Sequence, residues 1–195
     1  VIALTLIAAI AGVALSGVFS VTKDNIEEQE VLKQAASYKE VCPEAENFAI
    51  HEEGNAKIEE KAGSDWHADY PSARINEVFE CQDAAGNVVG YALSISSKGF
   101  GGDVTMAMGI RADGTISGIA FTELKETAGL GMKADEPEFK SQFPGKSRSV
   151  DPVKGAPQDD NDISAITGAT VTSTAVYNAV NAGLNFYETV LKGGN

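Results

Sequence analysis

The sequence predicts an α+β protein, with one N-terminal transmembrane helix followed by a single domain of antiparallel hairpins packed by helices. Three observations carry that prediction. Residues 1–21 contain neither a charge nor a proline, two strand–turn–strand patterns fall between residues 78 and 121, and a helical apolar period runs from about Thr172 to Leu191.

The first element, "VIALTLIAAIAGVALSGVFSV", reaches about 31 Å at a rise of about 1.5 Å per residue, roughly the hydrocarbon thickness of a bilayer. Gly12 and Ser16 form a small-xxx-small pair that lets another helix approach closely. A cleavable signal peptide is the competing reading, with "ALS" at 14–16 as its cleavage site, but the uncharged run continues through Val18, Phe19 and Val21. Lys23 follows, and then Asp24, Glu27, Glu28 and Glu30, an acidic flank that favours a soluble part outside the cytoplasm. Residues 22–41 read as a helical stalk, with Ile26, Val31, Leu32, Ala35 and Ala36 loosely at helical spacing. Residues 42–195 are then the extracytoplasmic domain.

Within that domain, residues 42–76 are polar and broken by Pro43, Gly54, Gly63 and Pro71, which predicts an irregular or partly helical excursion. Trp66, beside His67 and Tyr70, reads as a local core plug before a ligand contact. The first hairpin pairs 78–81 with 88–96, and the second pairs 103–110 with 115–121 across Asp113-Gly114. Val104, Met106, Met108 and Ile110 alternate with small or polar residues, so one strand face is buried and the methionines are core, not metal ligands. A glycine-rich turn, "SSKGFGG" at 96–102, lies between the hairpins. After them, a loop with Gly129 and Gly131 leads into a short amphipathic helix carrying Phe139 and Phe143. Residues 144–162 read as a charged loop, and the final helix presents Val176, Val180 and Leu184 on one face.

Composition excludes several function classes. Lys+Arg of 15 against Asp+Glu of 28 gives a net charge of −13, which repels a nucleic-acid backbone. An anionic cofactor therefore needs a local device, such as a helix N-terminus or a covalent bond. Cys42, Cys81, His51 and His67 form no metal-ligand spacing, so no metal site is expected. The two cysteines fit a disulfide in an oxidising compartment and fit two free thiols in a reducing one.

The stretch "SAITGATVTSTAVYNAV", residues 164–180, collects six Thr or Ser residues at the mouth of the final helix. One reading is capping, in which a Thr170 or Thr172 oxygen accepts a hydrogen bond from an orphan backbone N–H. The other is chemical: a helix N-terminus gathers partial positive charge suited to a phosphate, and Gly168 and Ala169 keep the approach to Thr170 open.

"ITGATVTS" at 166–173 resembles the flavin-attachment motif of the FMN-binding domain found in the G subunit of Rnf complexes and in the C subunit of the sodium-pumping NADH:quinone reductase. "SKGFGGDVTMAMGI" at 97–110, "DGTISGIAF" at 113–121 and "ETAGLG" at 126–131 are similar to that family's other motifs in the same order, with Ala128 where the family has Pro and Ser164 where it often has Asp. The resemblance covers most of the chain outside residues 42–76. It implies FMN bound covalently to Thr170 by a phosphoester, with Thr167, Gly168 and Ala169 completing the motif and a flavin transferase installing the group from FAD. It also implies that Thr172 and Ser173 donate to the phosphate or ribityl chain. Gly99, Gly101 and Gly102 would let backbone approach the ring, and Glu126, Thr127, Leu130 and Gly131 would line it. The implied function is electron relay within an Rnf-type ion-translocating ferredoxin:NAD+ oxidoreductase, among other membrane subunits that hold the ferredoxin and NAD sites. The alternatives are the equivalent quinone-reductase subunit and a flavin-free, membrane-anchored assembly or binding domain.

Overall fold

The computed structural model describes residues 34–60 and 70–192. Ser37–Asn195 forms one compact unit. The expected membrane span, most of the expected stalk, Trp66 and His67 lie outside the described residues. Among the described residues, no helix is long and apolar enough to cross a membrane.

Five strands form an antiparallel meander in chain order: β1 (Asn47–Ile50), β2 (Ala73–Gln82), β3 (Val88–Lys98), β4 (Asp103–Arg111) and β5 (Ile116–Leu124). The two expected hairpins are β2–β3 and β4–β5, with Val78 opposite Leu93 and Met106 opposite Phe121. They merge because β3 also pairs with β4. At the second turn Gly114 adopts φ +86°, and Asp113 Oδ1 accepts hydrogen bonds from the Thr115 amide and hydroxyl.

Residues 42–76 are partly helical, as expected, and also carry strand residues that their composition did not announce. They hold β1 and a helix, with α1 assigned to residues 34–41 and α2 to Glu52–Glu60. The α2 start is fixed by His51 Nδ1, which accepts from the Gly54 amide at 2.8 Å, and by Asn55, which bonds both polar groups of the Val78 backbone. Only Gly54 and Ile58 of α2 are buried, so no apolar period announces it. The charged loop at 144–162 is corrected: it contains β6 (Asp151–Val153), paired in parallel with β7 (Asp162–Ser164). Three-residue strands with Pro152 in one of them are too short to alternate visibly.

A 3-10 turn at Gly131–Asp135 precedes the single-turn helix α3 (Pro137–Lys140), where Phe139 and Phe143 pack edge to face with centroids 5.4 Å apart. The final helix α4 (Thr170–Phe186) starts two residues earlier than its apolar period and ends in a π turn at Tyr187–Leu191. Its Val176, Val180 and Leu184 are buried against the sheet, over Ile95, Met106 and Met108. A Cβ on Gly183 would lie 2.8 Å from both Ile95 Cδ1 and Met108 Sδ, so helix and sheet meet at a glycine.

The other sheet face is also covered. Tyr38, Val41, Cys42 and Ala45 cluster with Ala92, Ala107 and Ala120, and the register row Ala92–Gly109–Gly118 supplies the smallest side chains. A Cβ on Gly109 would stand 2.3 Å from the Val41 carbonyl oxygen and from Ser117 Oγ. Gly109→Ala is therefore expected to lower stability by about 1–3 kcal/mol, read as a reduced urea midpoint.

Candidate functional site

The chain leaves β7 and turns into α4 through residues 165–169. Gly168 takes φ +81°, a conformation that favours glycine, and the Ala169 amide bonds the Ile166 carbonyl at 3.0 Å. Ser173 Oγ accepts from the Ile166 amide at 3.0 Å, and its own amide makes the first intrahelical bond, to Ala169. The helix thus reaches back and fixes the turn that precedes it.

The six hydroxyls now separate. Thr172 and Ser173 are buried, Ser164 is half-buried, and Thr167, Thr170 and Thr174 are exposed. Thr172 Oγ1 donates to Glu126 Oε2 at 2.9 Å and does not face the cavity beside the motif. Neither Thr170 nor Thr172 caps the helix: Ala169 holds the N-cap position, and no side-chain oxygen bonds the first-turn amides. The capping reading does not hold in this structure. Thr170 stands on the first turn with an open hydroxyl, beside amides that the helix itself leaves unpaired.

Glu126 joins three of the motifs. Its Oε1 accepts from the Phe100 and Gly101 amides at 2.8 and 3.2 Å, while Oε2 takes the Thr172 hydroxyl. The missing Cβ atoms serve this packing. At Gly99 a Cβ would collide with Glu126 Oε1 at 2.2 Å, at Gly101 with the Lys125 carbonyl at 2.1 Å, and at Gly131 with Thr172 Oγ1 at 2.6 Å. Of the glycine turn, only Gly102 has open space where a Cβ would stand; at Gly99 and Gly101 that space is taken by Glu126 and the Lys125 carbonyl. The Thr127 carbonyl accepts from the Leu130 and Met132 amides, which curls the loop and brings Leu130 over Gly168.

Six large hydrophobic side chains are strongly exposed among the described residues. Four of them, Phe100, Leu130, Met132 and Val171, belong to the segments that Glu126 ties together. The motif also borders a cavity of about 530 Å³, within the range of pockets that take cofactor-sized ligands. Its walls include Thr167, Gly168, Thr170 and Ser173 with Val153, Lys154, Ile166 and Tyr177. The Tyr177 hydroxyl is buried near Ser173 without a hydrogen bond of good geometry, and burial, opposed by Ser173, pushes its phenol up to about 12, so it stays protonated as a donor. A second cavity of about 230 Å³ lies on the α3 side, lined by Lys133, Phe139, Ile166 and Thr167 among others.

Sequence reasoning missed Tyr177 and the wall at 152–155. Tyr177 was recoverable, because it sits four residues after Ser173 and seven after Thr170, on the same helix face. The wall was not. It is placed by Asn181 of α4, which is buried and bonds the Val150 amide at 2.7 Å and its carbonyl at 3.1 Å, and by Ser164 Oγ, which donates to the Gly155 carbonyl at 2.6 Å. Asn181→Ala leaves both Val150 groups unpaired and is expected to destabilise the fold by about 1–3 kcal/mol, as a loss of denaturation midpoint.

Comparison with known proteins agrees with this geometry. Residues 99–185 match the FMN-binding domain family. The chain is 37% identical over 193 residues to the G subunit of the Na+-translocating ferredoxin:NAD+ oxidoreductase complex of Acetobacterium woodii, covering 97% of this chain and 90% of that protein. It is 28% identical over 190 residues to the G subunit of the ion-translocating oxidoreductase complex of Methanosarcina acetivorans, covering 95% and 92%. Among solved structures it is similar to the C subunit of the Na+-translocating NADH-quinone reductase of Parabacteroides distasonis, with 27% identity and a TM-score of 0.51 over 60% of this chain and 63% of that one. More than a third of its residues match a G subunit across nearly the whole length of both chains, and the matched domain holds all the pieces of the Thr170 site. The chain belongs to the FMN-binding family formed by the G subunits of ion-translocating oxidoreductase complexes.

Proposed function

We propose that this chain is the flavoprotein subunit of an Rnf-type ion-translocating ferredoxin:NAD+ oxidoreductase complex, carrying FMN on Thr170 through a phosphoester bond and relaying electrons between partner subunits. The observation that carries the reading is the sorting of hydroxyls. Thr170 is open at an uncapped helix mouth and borders a cavity whose wall includes Tyr177, while Thr172 and Ser173 are engaged in holding the site together.

When bound, FMN supplies reversible uptake and release of electrons, and the protein supplies position and electronics. Thr170 tethers the group, which answers the net charge of −13 with a covalent bond. The first-turn amides of α4 and the Lys154 ammonium offset the phosphate charge. Tyr177 donates a hydrogen bond from the cavity wall, and Thr167, Gly168, Ala169 and Ser173 shape the approach. Glu126, Thr127, Gly131, Gly101 and Gly102 hold the loops that present Leu130, Met132, Phe100 and Val171 as an apolar rim. Thr172 is a positioning residue, acting through Glu126.

Residues 1–21 anchor the protein as a single span, the stalk runs from residue 22 to the start of the compact unit at Ser37, and that unit lies on the extracytoplasmic side. A flavin transferase matures the chain, and other membrane subunits supply the electron donor and acceptor. The test is expression of the full chain with and without a flavin transferase, followed by a denaturing gel viewed for flavin fluorescence. A band that fluoresces only with the transferase is expected. A dark band in both would return the chain to a flavin-free assembly or binding role.

A further inference from the structure

Cys42 and Cys81 take no part in the Thr170 site, yet the fold brings them together from 39 positions apart. Cys42 directly follows α1, and Cys81 lies near the end of β2, beneath the cluster formed with Tyr38, Val41 and Ala45. Their sulfur atoms are 2.6 Å apart, with the Cys81 thiol donating to Cys42 Sγ, and both side chains are buried. We propose that Cys42 and Cys81 are a dithiol–disulfide couple that, when oxidised, staples the segment entering the domain to the central sheet.

Local chemistry gives the pair a direction. The Cys81 S–H bond, Ser117 and the Arg111 guanidinium hold the Cys42 thiol below its ordinary range against the opposing effect of burial, whereas its role as donor to Cys42 and its burial push Cys81 up. Cys42 is the attacking sulfur and Cys81 the resolving one. A water-sized cavity of about 10 Å³, bordered by Cys42, Glu44, Cys81, Arg111 and Ser117, lies beside the pair. The oxidant is a disulfide, small or protein-borne. The Cys42 thiolate attacks one of its sulfurs and expels one reagent thiolate, forming a mixed disulfide. Cys81 then loses its proton and displaces the second reagent thiolate from Cys42. Two protein thiols are oxidised, one reagent disulfide is reduced to two thiols, and the two protons pass to solvent or the departing thiolates.

What the bond secures is specific. Residues 37–45 rest on a floor of Ala92, Gly109, Ala107, Gly118 and Ala120, held by the Ser117 hydroxyl bond to the Val41 carbonyl and by the Glu40–Lys140 ion pair at 3.2 Å. None of those contacts is covalent. The disulfide closes the chain between β2 and the segment that leads into the domain, and it restricts the unfolded ensemble accordingly.

The experiment uses the full wild-type chain, first reduced with dithiothreitol and then equilibrated anaerobically with glutathione disulfide. It is then quenched in acid, denatured and alkylated with N-ethylmaleimide. The expected result is no alkylated cysteine, a peptide cross-link between Cys42 and Cys81, and a thermal midpoint roughly 5–15 °C above the reduced protein. Two alkylated cysteines, or a glutathione adduct that persists on Cys42 without cross-linking, would overturn the couple. A cross-link with an unchanged midpoint would overturn the stapling. Because both redox states of the wild type are compared, the test does not depend on a cysteine variant folding.

Discussion

Thr170→Ala abolishes covalent flavin on the chain, reducing in-gel fluorescence to background, while the denaturation midpoint stays within about 0.5 kcal/mol of wild type. The second half of that expectation follows from exposure: the Thr170 side chain makes no hydrogen bond within the protein, so alanine removes nothing that the fold uses. The first half follows from chemistry, since only a hydroxyl at that position can form the phosphoester. Thr170→Ser keeps the oxygen and is expected to retain labelling. Thr167→Ala and Thr174→Ala separate position from exposure, because both residues are exposed like Thr170. Both variants are expected to remain fluorescent. Loss of label in Thr174→Ala with retention in Thr170→Ala would move the acceptor one helical turn along α4.

Glu126→Ala has the second largest expected effect, and it reaches the site without changing Thr170. The carboxylate is half-buried and accepts three hydrogen bonds, two from exposed backbone amides and one from the buried Thr172 hydroxyl. Water can replace it at Phe100 and Gly101 but not readily at Thr172, so the loss is about 1–3 kcal/mol of stability. Flavin loading is expected to fall severalfold, because the turn at 99–102, the 126–131 loop and the first turn of α4 are no longer tied together. Glu126→Gln keeps an acceptor for the two amides and a group that can donate to Thr172 Oγ1, and it is expected to recover most of both losses. Thr172→Val breaks only the third bond and falls between them. Urea titration and flavin-to-protein stoichiometry, measured on the same preparations, read both effects.

These contrasts show which parts of the molecule were readable from sequence. The β4 alternation of Val104, Met106, Met108 and Ile110 is legible because one strand face must be apolar, and all four are fully buried. The spacing of Val176, Val180 and Leu184 is legible for the same reason on a helix. The threonine motif was readable as a site through its resemblance to a flavin-attachment motif accompanied by three further motifs in the same order, whereas its residue types alone also suited helix capping. Glu126 could be named but not explained: its partners lie 25, 26 and 46 residues away, and only the tertiary fold makes it a tie between loops. β1, α2, β6 and β7 were hidden by shortness or polarity, being held by side-chain bonds from His51, Asn55, Asn181 and Ser164 and not by an apolar stripe. The sheet's second covered face was visible only as alanines and glycines, whose meaning appears once Val41 lies on them.

The central claim is a phosphoester on one named oxygen, and peptide mass spectrometry tests it most directly. Trypsin cuts after Lys154 and Lys192 and releases residues 155–192 as one peptide holding every candidate hydroxyl. With protein matured by a flavin transferase, that peptide is expected to carry the mass of FMN less one water, and fragmentation is expected to place the addition on Thr170. An unmodified peptide from such protein, or an addition on Thr167, Thr172, Ser173 or Thr174, would contradict the account.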